Sequence, residues 1–135
     1  MKHGFVPGVT ASVTFTVDDT MLAAFEGVVV HPVLGTAELV HYLELAGRRV
    51  ILPYLEEHDE GIGHAISVTH RAPARPGTLV TATAVLTAFT GNRVVTRVEA
   101  RTDTGTLIAD GEFTQAVLPK DVIQALVNPE NGLVG

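Results

Sequence analysis

The chain has 135 residues, 46% hydrophobic and 18% charged, with a formal net charge of −6 from 9 basic and 15 acidic side chains. That length suits one domain with a genuine core, and the acidic balance argues against a nonspecific nucleic-acid binder, which needs surplus cations for phosphates. Cysteine is absent, which excludes disulfides, thiolate metal sites and cysteine nucleophiles.

The opening residues, Met-Lys-His-Gly-Phe-Val-Pro-Gly, lack the apolar stretch of a secretory signal, and no apolar run approaches the roughly 18 residues of a membrane span. A soluble cytoplasmic protein is expected. With no tryptophan and 5% aromatic residues, stacking platforms for bases are not expected.

The first regular element is a strand from Thr10 to Val17, in which Ala11, Val13, Phe15 and Val17 alternate onto one face. Asp18-Asp19-Thr20 breaks it. Met21 to Phe25 reads as one short helical turn closed by Gly27, and Val28 to Gly35 as an extended loop. The period then changes. Ala37, Val40, Leu43, Leu45, Ala46, Val50 and Ile51 recur at helical spacing up to Pro53, which predicts one helix of about 17 residues, roughly 25 Å long. Thr36 suits its N-cap, Glu38 its first turn, and Arg48 and Arg49 its last half. Its apolar arc is wide, so the helix should be well buried.

Glu56 to Gly63 reads as a polar turn. Four strands follow: His64–Ala72, Thr78–Phe89, Arg93–Thr102 and Thr106–Leu118. Gly91-Asn92 marks a tight hairpin between the second and third. A short helix, Asp121–Val127, and a loose tail complete the chain. The fold class is therefore α+β, one domain over residues 1–135, with its core at about 10–118 and a C-terminal tail over 119–135. A long central helix wrapped by a roughly five-stranded antiparallel sheet is the hotdog arrangement, although the order of elements also fits other α+β folds.

Three segments carry a resemblance: Thr36-Ala-Glu-Leu-Val-His-Tyr-Leu-Glu44; Leu52-Pro-Tyr-Leu-Glu56 with Glu60-Gly-Ile-Gly63; and Val68-Thr-His-Arg-Ala-Pro73 with Pro76-Gly77. Together they resemble the fluoroacetyl-CoA thioesterase-like family of hotdog proteins, over about Thr10 to Leu118. The resemblance implies a catalytic group of Thr36, Glu44 and His70, a glycine near the thioester carbonyl at Gly63, and a dimer with its active sites at the subunit interface. The family's founding member has aromatic residues before the threonine, shaping a lid over a small fluorinated acyl group. Here that segment is Val28–Val30, His31, Pro32, Val33 and Leu34, a departure that bears on acyl specificity rather than on the reaction.

The residues also have readings of their own. Glu44 lies between Leu43 and Leu45; it is either an exposed helix glutamate or a desolvated carboxylate able to act as base or nucleophile on a thioester. His70, with Val68 and Ala72 on its face, is a packed strand histidine or a proton carrier. Thr36 precedes Glu44 by eight residues, about 12 Å of helical rise. The two cannot touch on one helix, so Thr36 stands off the helix, reaches Glu44 of a second copy, or is only a cap. Gly61 and Gly63 are turn residues, or Gly63 N–H faces the thioester oxygen.

Val33, Leu34 and Val40 are candidate pocket residues, small to medium in size, and suggest a short acyl chain. Arg71 and Arg75 are candidates for the phosphates of coenzyme A; Arg93, Arg97 and Arg101 read as a solvated strand face. His64 and His70 share a strand face but lie about 20 Å apart. No histidine spacing suggests a metal, and no phosphate loop or Gly-x-Ser-x-Gly motif is present.

The expectation is an acyl-CoA thioesterase that releases a short-chain, plain or substituted, acid. It would need no cofactor beyond the CoA of its substrate, work as a homodimer or as a tetramer assembled from two dimers, and involve neither nucleic acid nor membrane. Two alternatives stay open. One is a hotdog enoyl-CoA hydratase, whose relatives combine an Asp-x-x-x-x-His pairing with a phenylalanine-rich loop, a combination absent here. The other is a non-catalytic acyl-CoA binding or scaffold protein.

Overall fold

Strict alternation builds the sheet. Val13 and Phe15 on strand β1 (Thr10–Thr16), Val80 to Leu86 on β5 (Leu79–Thr90), and Val94 to Ala100 on β6 (Arg93–Thr102) bury every second side chain. Many outward positions are polar, and two such pairs meet across β1 and β5: Ser12 and Thr83 at 3.0 Å, and Thr14 and Thr81 at 3.2 Å. The computed structural model describes residues 1–128. The remaining elements are β2 (Leu22–Phe25), β3 (Val28–Leu34), α1 (Thr36–Ile51), β4 (Asp59–His70), β7 (Leu107–Pro119) and α2 (Lys120–Val127). The five long strands form one antiparallel sheet in the order β1-β5-β6-β7-β4, and β2 and β3 form a separate hairpin.

Helix α1 packs against one face of this sheet, in the hotdog arrangement. Leu39, Leu43, Ala46, Gly47, Val50 and Ile51 are its buried stripe, and Tyr42 stacks on Phe15 of β1 with ring centroids 3.8 Å apart. Two glycines set how closely the layers approach. A Cβ on Gly47 would enter the Phe113 ring of β7, and the buried Gln115 Nε2 donates to Gly47 O at 3.0 Å. A Cβ on Gly111 would enter the carbonyl of Ser67, so β4 keeps its place beside β7 only because that side chain is missing.

Three segments differ from the sequence reading. Met21 ends a short 3-10 turn, and Leu22–Phe25 is a strand rather than a helical turn. Its partner is β3, in the stretch expected to be loop. Glu26 and Gly27 close the hairpin with positive φ values of 51° and 80°, the two-residue geometry usually signalled by Asn-Gly. The run Met-Leu-Ala-Ala-Phe does not alternate, so only pairing reveals it. Strand β4 begins at Asp59 instead of His64, because Glu60 and Gly61 already pair with Leu118 and Val117. The N-cap of α1 is Gly35, which has no side chain to cap with, and Thr36 is the first helical residue. At the C-terminus, α2 takes up the start of the expected tail; its last residues, 129–135, lie outside the described region.

Strand β4 also carries a bulge. Gly63 pairs with Gln115, but Ala65 pairs with Thr114, leaving His64 extra. Before the bulge the odd positions Gly61 and Gly63 face α1; after it, the even position His70 does. No helix among the described residues is long and apolar enough to cross a membrane.

Candidate active site

Two groups of polar residues stand where α1 crosses β4. The first lies at the start of the helix. Thr36 does not cap; its Oγ1 is 2.8 Å from Nδ1 of His70, the last residue of β4, and the two share a hydrogen bond. The other ring nitrogen, His70 Nε2, is buried with no hydrogen-bond partner among the described residues. If the threonine hydroxyl donates to Nδ1, Nε2 carries the proton and is a donor; in the other tautomer Nε2 is a base. Beside Thr36 a cavity of about 470 Å³ opens beneath the β2–β3 hairpin, lined in part by Leu22, Ala23, Phe25, His31 and Glu38. The hairpin is apolar and exposed at Phe25 and Val28–Val30.

The second group lies two turns along α1. Leu43 is buried, but Glu44 beside it is exposed, which settles the local choice for a single chain: the carboxylate points off the apolar stripe. Among the described residues it makes no hydrogen bond or ion pair. It borders a cavity of about 160 Å³ with Gly63, Phe113 and Gln115. A Cβ on Gly63 would stand 2.8 Å from Glu44 Oε2. Gly63 is thus a glycine because the carboxylate occupies the space above it. His41 and Arg48, one turn to either side, line the same cavity. Arg48 Nη1 reaches Glu60 Oε1 at 3.0 Å, and the same oxygen accepts the Gly61 N–H at 2.8 Å. The Arg48 hydrogen bond holds the Glu60 carboxyl below its ordinary value of 4.5.

The other expected residues are dispersed. Leu34 is a core residue, Val33 and Val40 are half-buried, and none of the three lines either cavity. Arg71 Nε donates to Asp110 Oδ1 at 2.9 Å, and Arg75 is exposed in the loop before β5. Arg101 pairs with Glu99. No group of three His, Asp or Glu residues among the described residues is arranged to hold a metal ion. Phe113, Gln115 and the Arg48–Glu60 pair were not singled out from sequence. No spacing in the sequence signalled the last, since the i,i+4 relation on the helix joins Arg48 to Glu44 and not to Glu60.

Thr36 and Glu44 lie about 12 Å apart along the helix, and Gly63 and His70, which pair with Gln115 and Ala109, about 20 Å apart along the strand. One chain therefore holds two separate polar groups, a threonine–histidine pair and a carboxylate over a glycine. The chain as a whole is similar to known proteins. The family model described as fluoroacetyl-CoA-specific thioesterase (FlK) matches residues 17–121. The fluoroacetyl-CoA thioesterase of Streptantibioticus cattleyicolor is 38% identical over 95 residues, covering 70% of this chain and 68% of that protein. Among solved structures, a Thermus thermophilus hypothetical protein described as a thioesterase superfamily member is 42% identical, with a TM-score of 0.88 over 92% of this chain and 91% of that one. The fluoroacetyl-CoA thioesterase FlK is 30% identical, with a TM-score of 0.84 over 94% of this chain and 98% of that one. The fold is that of a hotdog thioesterase. Within that class, the chain belongs to the fluoroacetyl-CoA-specific thioesterase family.

Proposed function

We propose that the chain is an acyl-CoA thioesterase whose complete site is built from two copies, with Thr36 and His70 of one facing Glu44 and Gly63 of the other. Hydrolysis of an acyl-CoA thioester follows from family membership. The observation that carries the rest is the separation of the half-sites. Thr36 is on the helix, so it cannot fold back to its own Glu44. Strand β4 is an edge of the sheet, and its residues Gly63 to Ser67 are exposed, a form suited to pairing. An antiparallel pairing of two β4 strands centred on Ser67, with the bulged His64 taking no register step, sets His70 across from Gly63 of the second copy. The buried Nε2 of His70 then gains a carboxylate neighbour, as buried polar atoms usually require.

In this site Glu44 takes the proton of a water, whose oxygen attacks the thioester carbon; attack by Glu44 itself is the other route. The Gly63 N–H steadies the oxyanion, the C–S bond breaks, and the proton held by Glu44 passes through His70 to the leaving thiolate, which restores both residues. Thr36 fixes the imidazole. Water and side chains suffice, so CoA enters only as part of the substrate. The cavity of about 160 Å³ at Glu44 suits a short acyl group. We place the enzyme in the cytoplasm, where CoA thioesters are held.

Thiol release from CoA esters, acetyl through long-chain with haloacetyl included, tests the reaction. We expect turnover of short esters, and a loss of about 10²–10⁴-fold in Glu44→Ala, the range for a lost acid–base group. Silence across the panel from a folded dimer would shift the reading to acyl-CoA binding. Mixing Glu44→Ala with His70→Ala chains, each inactive alone, should restore about a quarter of wild-type activity through hybrid dimers with one intact site. No restoration would refute the two-copy site.

A further inference from the structure

Glu44 and Arg48 are four residues apart on α1, with the acid N-terminal to the base. This is the favourable order for a helix ion pair, with Cβ atoms about 6 Å apart. Both line the same cavity, yet the pair does not form. Arg48 turns instead to Glu60 on β4, at 3.0 Å, and Glu60 is itself held by the Gly61 N–H at 2.8 Å. The charged and titratable groups facing Glu44 are His41 and Arg48 from α1 and His64 from β4; β7 adds only the uncharged Phe113 and Gln115. Arg48 is the one permanent cation among them, and Glu60 is the carboxylate that occupies it.

We propose that Glu60 is a positioning residue that draws Arg48 away from Glu44 and so leaves the Glu44 carboxylate free to act as base or nucleophile. The inference rests on the thioesterase reading of Glu44. A guanidinium seated on Glu44 would neutralise the charge that the reaction needs and would tie up the oxygens that must reach water or substrate. With Glu60 in place, Arg48 has a partner already tethered to the strand backbone. Without it, the nearest carboxylate on the helix is Glu44.

Steady-state kinetics of Glu60→Gln, Arg48→Gln and the double variant, on whichever short acyl-CoA the wild type turns over, test this. Glutamine keeps an acceptor for the Gly61 N–H and Arg48 and removes only the charge. We expect Glu60→Gln to lower kcat at least tenfold with KM within threefold, since fewer enzyme molecules hold a free Glu44. The double variant should return kcat to within threefold of wild type, because the released cation is gone. Thermal unfolding of all three checks that each is folded. If Glu60→Gln leaves kcat within threefold of wild type, the inference is wrong. If the double variant is as impaired as Glu60→Gln, the pair is structural and the inference is also wrong. A wild type without thioesterase activity would instead sink the underlying assignment of Glu44, which the Glu44→Ala comparison reports separately.

Discussion

The two proposed half-sites are built by opposite means. At the start of α1 two side chains are brought into contact: Thr36 and His70 meet at 2.8 Å, and each orients the other. In the middle of α1 the design is one of omission. Glu44 has no partner among the described residues, and the glycine beneath it leaves room where a Cβ would stand 2.8 Å from its carboxylate. A contact limits what its members can do, whereas a space leaves the group above it able to meet a substrate. The first half therefore suits fixed orientation and proton handling, and the second suits attack or proton abstraction.

Filling the space should do the most damage. Gly63→Ala is expected to cut kcat by about 10²-fold, because a displacement near 1 Å from productive geometry has effects of this order, with little change in thermal stability at an exposed position. Gly61→Ala, two residues earlier on the same face, makes the contrast. Its Cβ would enter Ile51 of the core, so it should cost about 1–3 kcal/mol of stability, measured by urea unfolding, while Glu44 keeps its place. Equal effects of the two alanines on activity would dissolve the distinction between a site glycine and a packing glycine.

Breaking the contact should do less. Thr36→Val keeps the shape and removes the hydroxyl, and about a tenfold loss in kcat is expected from one lost orienting hydrogen bond to a reacting group. Thr36→Ser should retain most activity; if it matches the valine variant, the methyl rather than the hydroxyl matters.

The smallest effect lies at the edge of the second half-site. The Glu60 carboxyl is held below 4.5 by Arg48. A depressed folded value stabilises the fold above the unfolded value, and that contribution disappears as pH falls from about 4.5 through the lowered one. The pair is half-exposed, so the difference in unfolding free energy between pH 7 and pH 3 should shrink in Glu60→Gln by less than about 1 kcal/mol.

Much of this architecture was legible in the residues. Alternation located β1, β5, β6 and β7, and the helical period located α1 to within a residue or two, because burial on one face leaves a direct trace in sequence. The eight-residue gap between Thr36 and Glu44 already indicated that one helix could not join them. What escaped was pairing that leaves no such trace. Strand β2 shows no alternation because its hairpin stands off the sheet. The Arg48–Glu60 bridge spans a turn of the chain. Leu34 looked like a pocket residue by size and lies in the core, since hydrophobicity does not distinguish a wall from an interior. The assignment of Thr36, Glu44 and His70 came from resemblance; the geometry adds how their surroundings hold them.

The bulge at His64 has a consequence for how this strand can vary. Gly63 and His70 are seven residues apart, an odd number, and a regular strand would turn them to opposite sides. The extra residue restores both to the helix. Deleting His64 would give a regular strand with a spacing of six, still same-sided and of nearly the same length, since Gly63 and His70 already pair with Gln115 and Ala109, six residues apart. Deleting one residue after the bulge would send either the glycine or the histidine to the far side. Within this segment, gain or loss of a residue is thus harmless to orientation at one position and destructive at its neighbours, so length variation between the two motifs should concentrate at residue 64.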